Sequence, residues 1–225
     1  MNKIDYLFPN IKDDDYKRTI THKYNDYVSY SQIPLRYMDY DIDIKKLPTR
    51  LKTLFTNMET IVDDKLCLAF STKDYSYTGY LSALLIDKYF RNTIESDNTL
   101  NNIIYVDTNL LMDDYKKLMD VGENTIALSH NEDTLYRNIE EASLVIWDKF
   151  SMVTSTYERQ KLYNVLLSRY RKDLGNIYFI KDAKTSLAKI CDEEMKNIMN
   201  FDYIVSLEEE QLKYTSNNEK GNIKW

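Results

Sequence analysis

The chain alternates between short apolar runs and longer segments in which apolar residues recur every three or four positions. Continuous apolar runs are typical of strands buried on both faces, and a repeat of three to four residues is typical of helices. The predicted strands span residues 66–70, 102–107, 125–129, 143–148, 176–181 and 202–207. The predicted helices span residues 13–27, 48–62, 79–91, 110–119, 135–141, 157–170 and 186–200.

Strands that alternate with helices indicate βαβ units and an α/β fold with a mainly parallel sheet. Such sheets bind ligands outside the carboxyl ends of their strands. Functional residues are therefore expected in the loops that follow Phe70, Asp107, Asp148 and Lys181.

The 225 residues suffice for one domain with a substantial core. The first thirty or so residues are polar and charged, and Pro34 and Pro48 interrupt the stretch that follows. We predict an N-terminal arm and connector over residues 1–47, the α/β domain over residues 48–207 and a polar tail over residues 208–225.

The composition argues against several classes of protein. A net charge of −6 disfavours a general basic surface for nucleic acids. The sequence has no long apolar run of transmembrane length, and residues 1–10 lack the pattern of a signal peptide. We therefore expect a cytoplasmic protein with no membrane contact. Two cysteines and two histidines without close spacing predict no metal site.

The segment between the first predicted strand and the next helix has the length of a phosphate-binding loop. That loop has the pattern GxxxxGK[ST]; its glycines allow close approach to phosphate, and its lysine contacts the terminal phosphates. Ser71 and Ser76 stand at the glycine positions, Tyr77 at the lysine position and Thr78 at the last position. The sequence therefore predicts a degenerate Walker A loop, in which Thr78 either coordinates Mg²⁺ or caps the helix.

A Walker B pattern and a further polar position follow on later strands. Four apolar residues precede Asp148, which would lie near Thr78, but Lys149 follows where a second acid usually stands. The alternative for Asp148 is a solvated turn residue. Asp182 directly follows the strand 176–181. A polar residue at this position, usually asparagine, orients the attacking water.

In this order, the segments resemble the bacterial helicase loaders of the DnaC/DnaI type. The resemblance covers about residues 33–200 and implies an AAA+ fold, a five-stranded parallel sheet flanked by helices. Members of that family load the ring-shaped replicative helicase onto single-stranded DNA, and an N-terminal arm or domain contacts the helicase. The segments that carry the resemblance are QIPLRY at 32–37, the loop and helix at 71–85, the strand at 144–149, the helix at 157–170 and the strand at 176–182.

The chain departs from the family at its catalytic positions. Besides the Walker A changes and Lys149, it has Asp182 in place of asparagine, and the helix 186–200 offers Lys196 where an arginine finger is expected. We therefore expect a pseudo-ATPase that is not an enzyme and has no required cofactor, with ATP and Mg²⁺ binding weak or lost. The expected partners are the replicative helicase, its loader or single-stranded DNA.

Other functions stay open at this point. One is a weak ATPase loader with Lys73 turned into the phosphate site and Asp148 holding Mg²⁺. Another is an inhibitor or decoy of a host loader, since the abundance of Lys, Asn, Asp, Ile and Tyr is typical of an AT-rich genome such as that of a phage of low-GC bacteria. The last is a structural subunit of a clamp-loader-like complex, against which the absence of a predicted helical region after Leu207 counts.

A local basic cluster lies on and after the helix 157–170, with tyrosines beside it. Cations that pair with phosphates and rings that stack on bases are typical of single-stranded DNA binding. The alternative is the solvated face of an amphipathic helix. The possible contacts with single-stranded DNA or a partner are Lys161, Arg169, Arg171 and Lys172.

Overall fold

A computed structural model describes residues 3–39, 49–73, 75–112, 126–150, 156–181, 197–199 and 201–207. The strands are β1 (Cys67–Thr72), β2 (Ile103–Asp107), β3 (Leu144–Phe150), β4 (Gly175–Lys181) and β5 (Tyr203–Leu207). The helices are α1 (Lys3–Leu7), α2 (Asp14–Ser31), α3 (Leu35–Met38), α4 (Thr49–Thr56), α5 (Met58–Asp63), α6 (Thr78–Glu95), α7 (Ile126–Glu141) and α8 (Thr156–Arg171). Residues 108–112 and 197–199 are also helical.

The five strands form one sheet in the order β2-β3-β4-β1-β5, and all four neighbouring pairs are parallel. The predicted α/β fold, a five-stranded parallel sheet flanked by helices, is therefore confirmed. Because β1 lies between β4 and β5 while β2 lies at the far edge, the chain crosses β4 and β3 after leaving β1. In parallel sheets this reversal of strand order opens a crevice at the carboxyl ends.

Alternate side chains of each strand point to opposite faces of the sheet and so divide the core in two. On one face, Leu68, Phe70 and Phe179 pack with the buried side chains of α1, α2 and α4–α6. On the other face, Trp147 and Tyr178 pack with α7 and α8. The helices therefore cover both faces, as the continuous apolar runs predict.

The residues predicted as an N-terminal arm do not stand apart from the domain. Ile4 and Ile20 are almost completely buried and belong to the same apolar cluster as Phe90 of α6. The rings of Phe8 and Tyr24 contact Phe90 edge to face. Within residues 3–39, α1 and α2 are thus part of the helical layer, and the predicted boundary at residue 47 does not separate two cores.

The predicted helix at 13–27 and strands near 66–70, 102–107, 143–148, 176–181 and 202–207 are confirmed within a few residues. The predicted helices near 79–91 and 157–170 are also confirmed, as α6 and α8. The helix predicted at 135–141 is the second half of α7. Residues 110–112 of the helix predicted at 110–119 and residues 197–199 of the one at 186–200 are helical. Residues 113–119, 186–196 and 200 of those two segments lie outside the described residues, as does the polar tail after 207.

One prediction of secondary structure was wrong, and one predicted helix is interrupted. Residues 126–129 of the strand predicted at 125–129 lie in α7, because a short apolar run fits a helix as well as a strand, and Leu128, Leu135 and Ile139 recur at helical spacing. The helix predicted at 48–62 is two helices that meet at Asn57, whose side-chain amide donates to the Thr53 carbonyl 2.9 Å away. Of the helices within the described residues, none has the length and apolar character needed to cross a membrane.

Candidate functional site

The candidate site lies at the carboxyl ends of β1 to β4, where the strand order reverses. The loop after β1 is shorter than predicted, because β1 continues to Thr72 and only residues 73–77 separate it from α6. Ser71 lies inside the sheet, paired with Ile180 of β4 and Ser206 of β5. The assignment of Ser71 to a phosphate-binding loop is thus corrected, since its backbone belongs to the strand ladder.

Tyr75 spans this edge of the sheet. Its hydroxyl accepts a hydrogen bond from the Lys181 amide at 2.6 Å and donates one to the Phe150 carbonyl at 3.2 Å. Phe150 and Lys181 are the last residues of β3 and β4. Burial, chiefly, raises the pKa of the Tyr75 hydroxyl to about 12, so the phenol is neutral at physiological pH.

The first turn of α6 begins directly beneath this loop. The Tyr75 carbonyl accepts hydrogen bonds from the Thr78 amide at 3.3 Å and the Thr78 hydroxyl at 2.9 Å. The next residue is Gly79, where an added Cβ would lie 2.5 Å from the Tyr37 ring. Glycine is therefore required for close packing of that ring against the helix, rather than for a positive φ.

Asp148 is fully buried and surrounded by donors. The Tyr105 hydroxyl donates to its Oδ2 at 2.6 Å, and the Lys149 amide donates to its Oδ1 at 2.8 Å. The Thr78 hydroxyl also lies within hydrogen-bond reach, and its single proton serves either this carboxyl or the Tyr75 carbonyl. Burial raises the pKa of Asp148, and the bonds from Thr78 and Tyr105 reduce that rise. The predicted proximity of Asp148 and Thr78 is confirmed, and a solvated turn residue is excluded.

Lys149 forms a bulge in β3. Its φ is 52°, and the pairing with β4 slips by one residue between Trp147 and Phe150. A bulge redirects a side chain, and here the Lys149 ammonium lies 2.5 Å from Oδ2 of Asp107. Burial alone would lower the pKa of Lys149, but the bond to Asp107 and the charge of that carboxylate, with smaller contributions from Tyr37 and Asp148, together raise it.

Asp107 also caps a helix. Its Oδ1 accepts hydrogen bonds from the amides of Asn109 and Leu110, at 3.2 and 3.3 Å, at the start of the helical residues 108–112. Both oxygens of this carboxylate are therefore bonded within the chain, one to the helix and one to Lys149.

We expect the Asp148→Asn variant to gain stability relative to the wild type as the pH rises. Asp148 has a folded-state pKa above its ordinary value of 3.8. Between the two values the folded state keeps a proton that the unfolded state has lost, so wild-type stability falls as pH rises through the folded pKa. Urea titrations of both proteins at several pH values between 4 and 7 measure the difference in free energy of unfolding. A wild type that gains stability relative to Asp148→Asn as the pH rises would contradict a raised pKa for the buried Asp148 carboxyl.

The residues present do not fit a magnesium nucleotide. Tyr77, the residue before α6, carries no cation, and the carboxylates of Asp148 and Asp107 are bonded to Tyr105 and Lys149. The Tyr75 hydroxyl, in the loop that precedes α6, is bonded to the ends of β3 and β4. Within the described residues, no group of three or more His, Cys, Asp or Glu side chains is placed to hold a metal ion.

The other predicted site residues do not converge on this arrangement. The side chains of Lys73 and Ser76 are exposed, and Asp182 lies outside the described residues. The sequence did not indicate Tyr75, Tyr105 or the pair Asp107–Lys149. Two features of the sequence could have indicated them. Tyr75 lies in a loop where a phosphate site needs small residues, and Asp107 ends a predicted strand.

The basic cluster on α8 requires a correction. Arg169 is fully buried at the amino edge of the sheet, opposite the candidate site, and cannot contact DNA or a partner. Its guanidinium donates to the carbonyls of Ile139, Ala142 and Gly175 and to the Asn176 side chain. Burial lowers its pKa to about 10.

The other three cations of the cluster are accessible to different degrees. The Lys161 ammonium lies 5.3 Å from the centre of the half-buried Tyr136 ring. Arg171 and Lys172 are exposed, and the Lys172 ammonium lies 3.4 Å from the Glu140 carbonyl. Of the predicted basic cluster, Lys161, Arg171 and Lys172 therefore remain the possible contacts with single-stranded DNA or a partner.

Comparison with known proteins returned structural matches only. No protein-family model matches the chain, and no curated protein matches its sequence. A crystal structure titled DnaI is similar at a TM-score of 0.48 and 13% identity, over 84% of this chain and 88% of that chain. A crystal structure titled the DnaC helicase loader has the same TM-score and identity, over 75% of this chain and 98% of that chain. The fold itself is established by the strand order and pairing.

Proposed function

We propose that this protein is a DNA-replication factor of the helicase-loader type that acts by binding and does not hydrolyse ATP. Its partner is the replicative helicase of its cell or that helicase's loader. The proposal joins the order of sequence segments shared with the loaders to the closed arrangement at the carboxyl ends of the strands. A fold alone does not assign a function, so the partner has to be tested directly.

The carrying observation is that the protein's own side chains complete the site. Phosphate binding needs cations and free amides, and Mg²⁺ binding needs carboxylates with free oxygens. Here Tyr75 bonds to the ends of β3 and β4, Tyr105 bonds to Asp148, and Lys149 supplies a cation to Asp107. A nucleotide would have to break several of these bonds to enter.

Calorimetric titration with ATP and Mg²⁺, and then with the purified helicase, tests this function. We expect no heat from nucleotide at millimolar concentration and a dissociation constant for the helicase in the micromolar range or below. Saturable nucleotide binding would contradict the closed site and favour the weak ATPase loader with Lys73 at the phosphates. No binding of either helicase or loader would reject the proposed partner.

The titration with the helicase can be repeated with a surface variant and a matched control. Two tyrosines on the N-terminal helices are half-exposed, Tyr6 of α1 at 46% and Tyr16 of α2 at 49%. If the N-terminal helices α1 and α2 contact the helicase, replacing both tyrosines with alanine is expected to weaken helicase binding about tenfold or more. Exposed aromatic side chains are frequent interface anchors. Ile204→Ala, an exposed apolar residue on β5, serves as the control.

A loading assay separates a helper from an inhibitor. Adding the protein to helicase, loader and single-stranded DNA should raise the amount of helicase on DNA if it helps, and lower it if it competes with the loader. Both outcomes agree with binding, and they identify which of the two roles the binding serves.

A further inference from the structure

We infer that the Tyr75 hydroxyl is a latch that holds the loop after β1 against the ends of β3 and β4. The biological meaning of the latch rests on the proposed function, because a factor that works without nucleotide needs another means to fix this loop. The latch itself is a statement about three hydrogen-bonded segments and can be tested without a partner.

The latch joins segments that are far apart in sequence. Tyr75 lies 75 residues before Phe150 and 106 residues before Lys181, yet its hydroxyl bonds to both backbones. The two bonds use the phenol as donor and as acceptor, which is its full complement of strong interactions. One side chain thus connects the loop to two neighbouring strands of the sheet.

Tyr75 is also fixed at its backbone end. Its carbonyl accepts from the amide and the hydroxyl of Thr78, in the first turn of α6. The residue is therefore held by α6 at one end and by β3 and β4 at the other. Only five residues separate β1 from α6, so Tyr75 lies close to both elements.

The simpler explanation is that Tyr75 only fills space against the apolar core, which its ring also contacts. The Tyr75→Phe substitution separates the two explanations, because it keeps the ring and removes the hydroxyl. If packing alone holds the loop, the substitution leaves the loop closed. If the hydroxyl is the latch, loss of its bonds to the Lys181 amide and the Phe150 carbonyl also lets the loop move away from the strand ends.

Amide hydrogen exchange measured by NMR in the absence of nucleotide is the first test. In Tyr75→Phe we expect the protection of the Lys181 amide to fall about tenfold relative to Phe179, an amide in the interior of the same strand. Tyr77→Phe is the matched control, because Tyr77 is a half-buried tyrosine of the same loop that makes neither bond to the strand ends.

Limited trypsin digestion is the second test, since Lys73 is exposed at the start of the loop. Cleavage after Lys73 should be several times faster in Tyr75→Phe than in the wild type or in Tyr77→Phe. Unchanged cleavage in Tyr75→Phe would overturn the latch, because a fall in Lys181 protection alone follows directly from removing the hydroxyl to which its amide donates. If instead ATP binds to the wild type but the cleavage difference between the variants persists, the proposed function fails and the latch stands.

Discussion

Replacing Arg169 with alanine should destabilise the protein by about 4 kcal/mol, because it leaves several buried acceptors unsatisfied and creates a cavity. The side chain is fully buried and supplies donors to three backbone carbonyls and to Asn176. Truncation leaves those carbonyls without donors and opens a cavity beside Trp147, whose indole also donates to Asn176 at 3.0 Å. For a domain of this size, the loss corresponds to a fall in melting temperature of roughly 8–16 °C.

Arg171→Ala is the control for this prediction. Arg171 lies two residues further along α8 and is exposed, so its removal should change the free energy of unfolding by no more than about 0.5 kcal/mol. Arg169→Lys should remain strongly destabilised, because one ammonium cannot reach the acceptors that a guanidinium reaches through three nitrogens. A stable Arg169→Ala protein with weakened affinity for single-stranded DNA would instead restore the surface contact predicted from sequence.

The two arginines show where sequence reasoning ends on this chain. Both lie in the last turn of the same helix, α8, and the sequence pattern predicted that helix correctly. Helical spacing does place Arg169, but not Arg171, on the face of α8 that carries the buried Leu162 and Leu166. The acceptors that satisfy its guanidinium come from Ile139, Ala142 and Gly175, up to 30 positions away, and periodicity does not identify them.

The same limit applies to the candidate site. The substitutions at Ser76, Tyr77 and Lys149 could be read from the sequence, because a motif fixes the expected residue at each position. The side chains that occupy the site could not be predicted from the sequence, because Tyr75 bonds to strand ends 75 and 106 residues away, and Lys149 reaches Asp107 through a bulge. Buried strands such as β3 were predicted well, since each run of apolar residues is itself the signal.

The Asp87→Ala substitution should have the second largest effect, a loss of about 3 kcal/mol concentrated in the N-terminal layer. Asp87 of α6 is fully buried and accepts from the Tyr24 hydroxyl of α2 at 2.7 Å and the Lys3 ammonium of α1 at 2.9 Å. Lys3 also donates to the Met38 carbonyl of α3 at 2.8 Å. One carboxylate therefore connects three N-terminal helices to the helix that follows the candidate loop.

We expect the loss to lie near the lower end for a buried pair, because the Lys3 side chain is 24% exposed and can turn to water. The double variant with Lys3→Met should recover part of the loss, since it removes the cation that Asp87→Ala leaves unpaired. Asp5→Ala is the control, because the Asp5–Lys17 pair is much more exposed and should contribute at most about 1 kcal/mol. Urea unfolding measures the loss, and amide exchange over residues 3–38 locates it. If protection in that range is unchanged while global stability falls, Asp87 supports the sheet layer rather than the docking of the N-terminal helices.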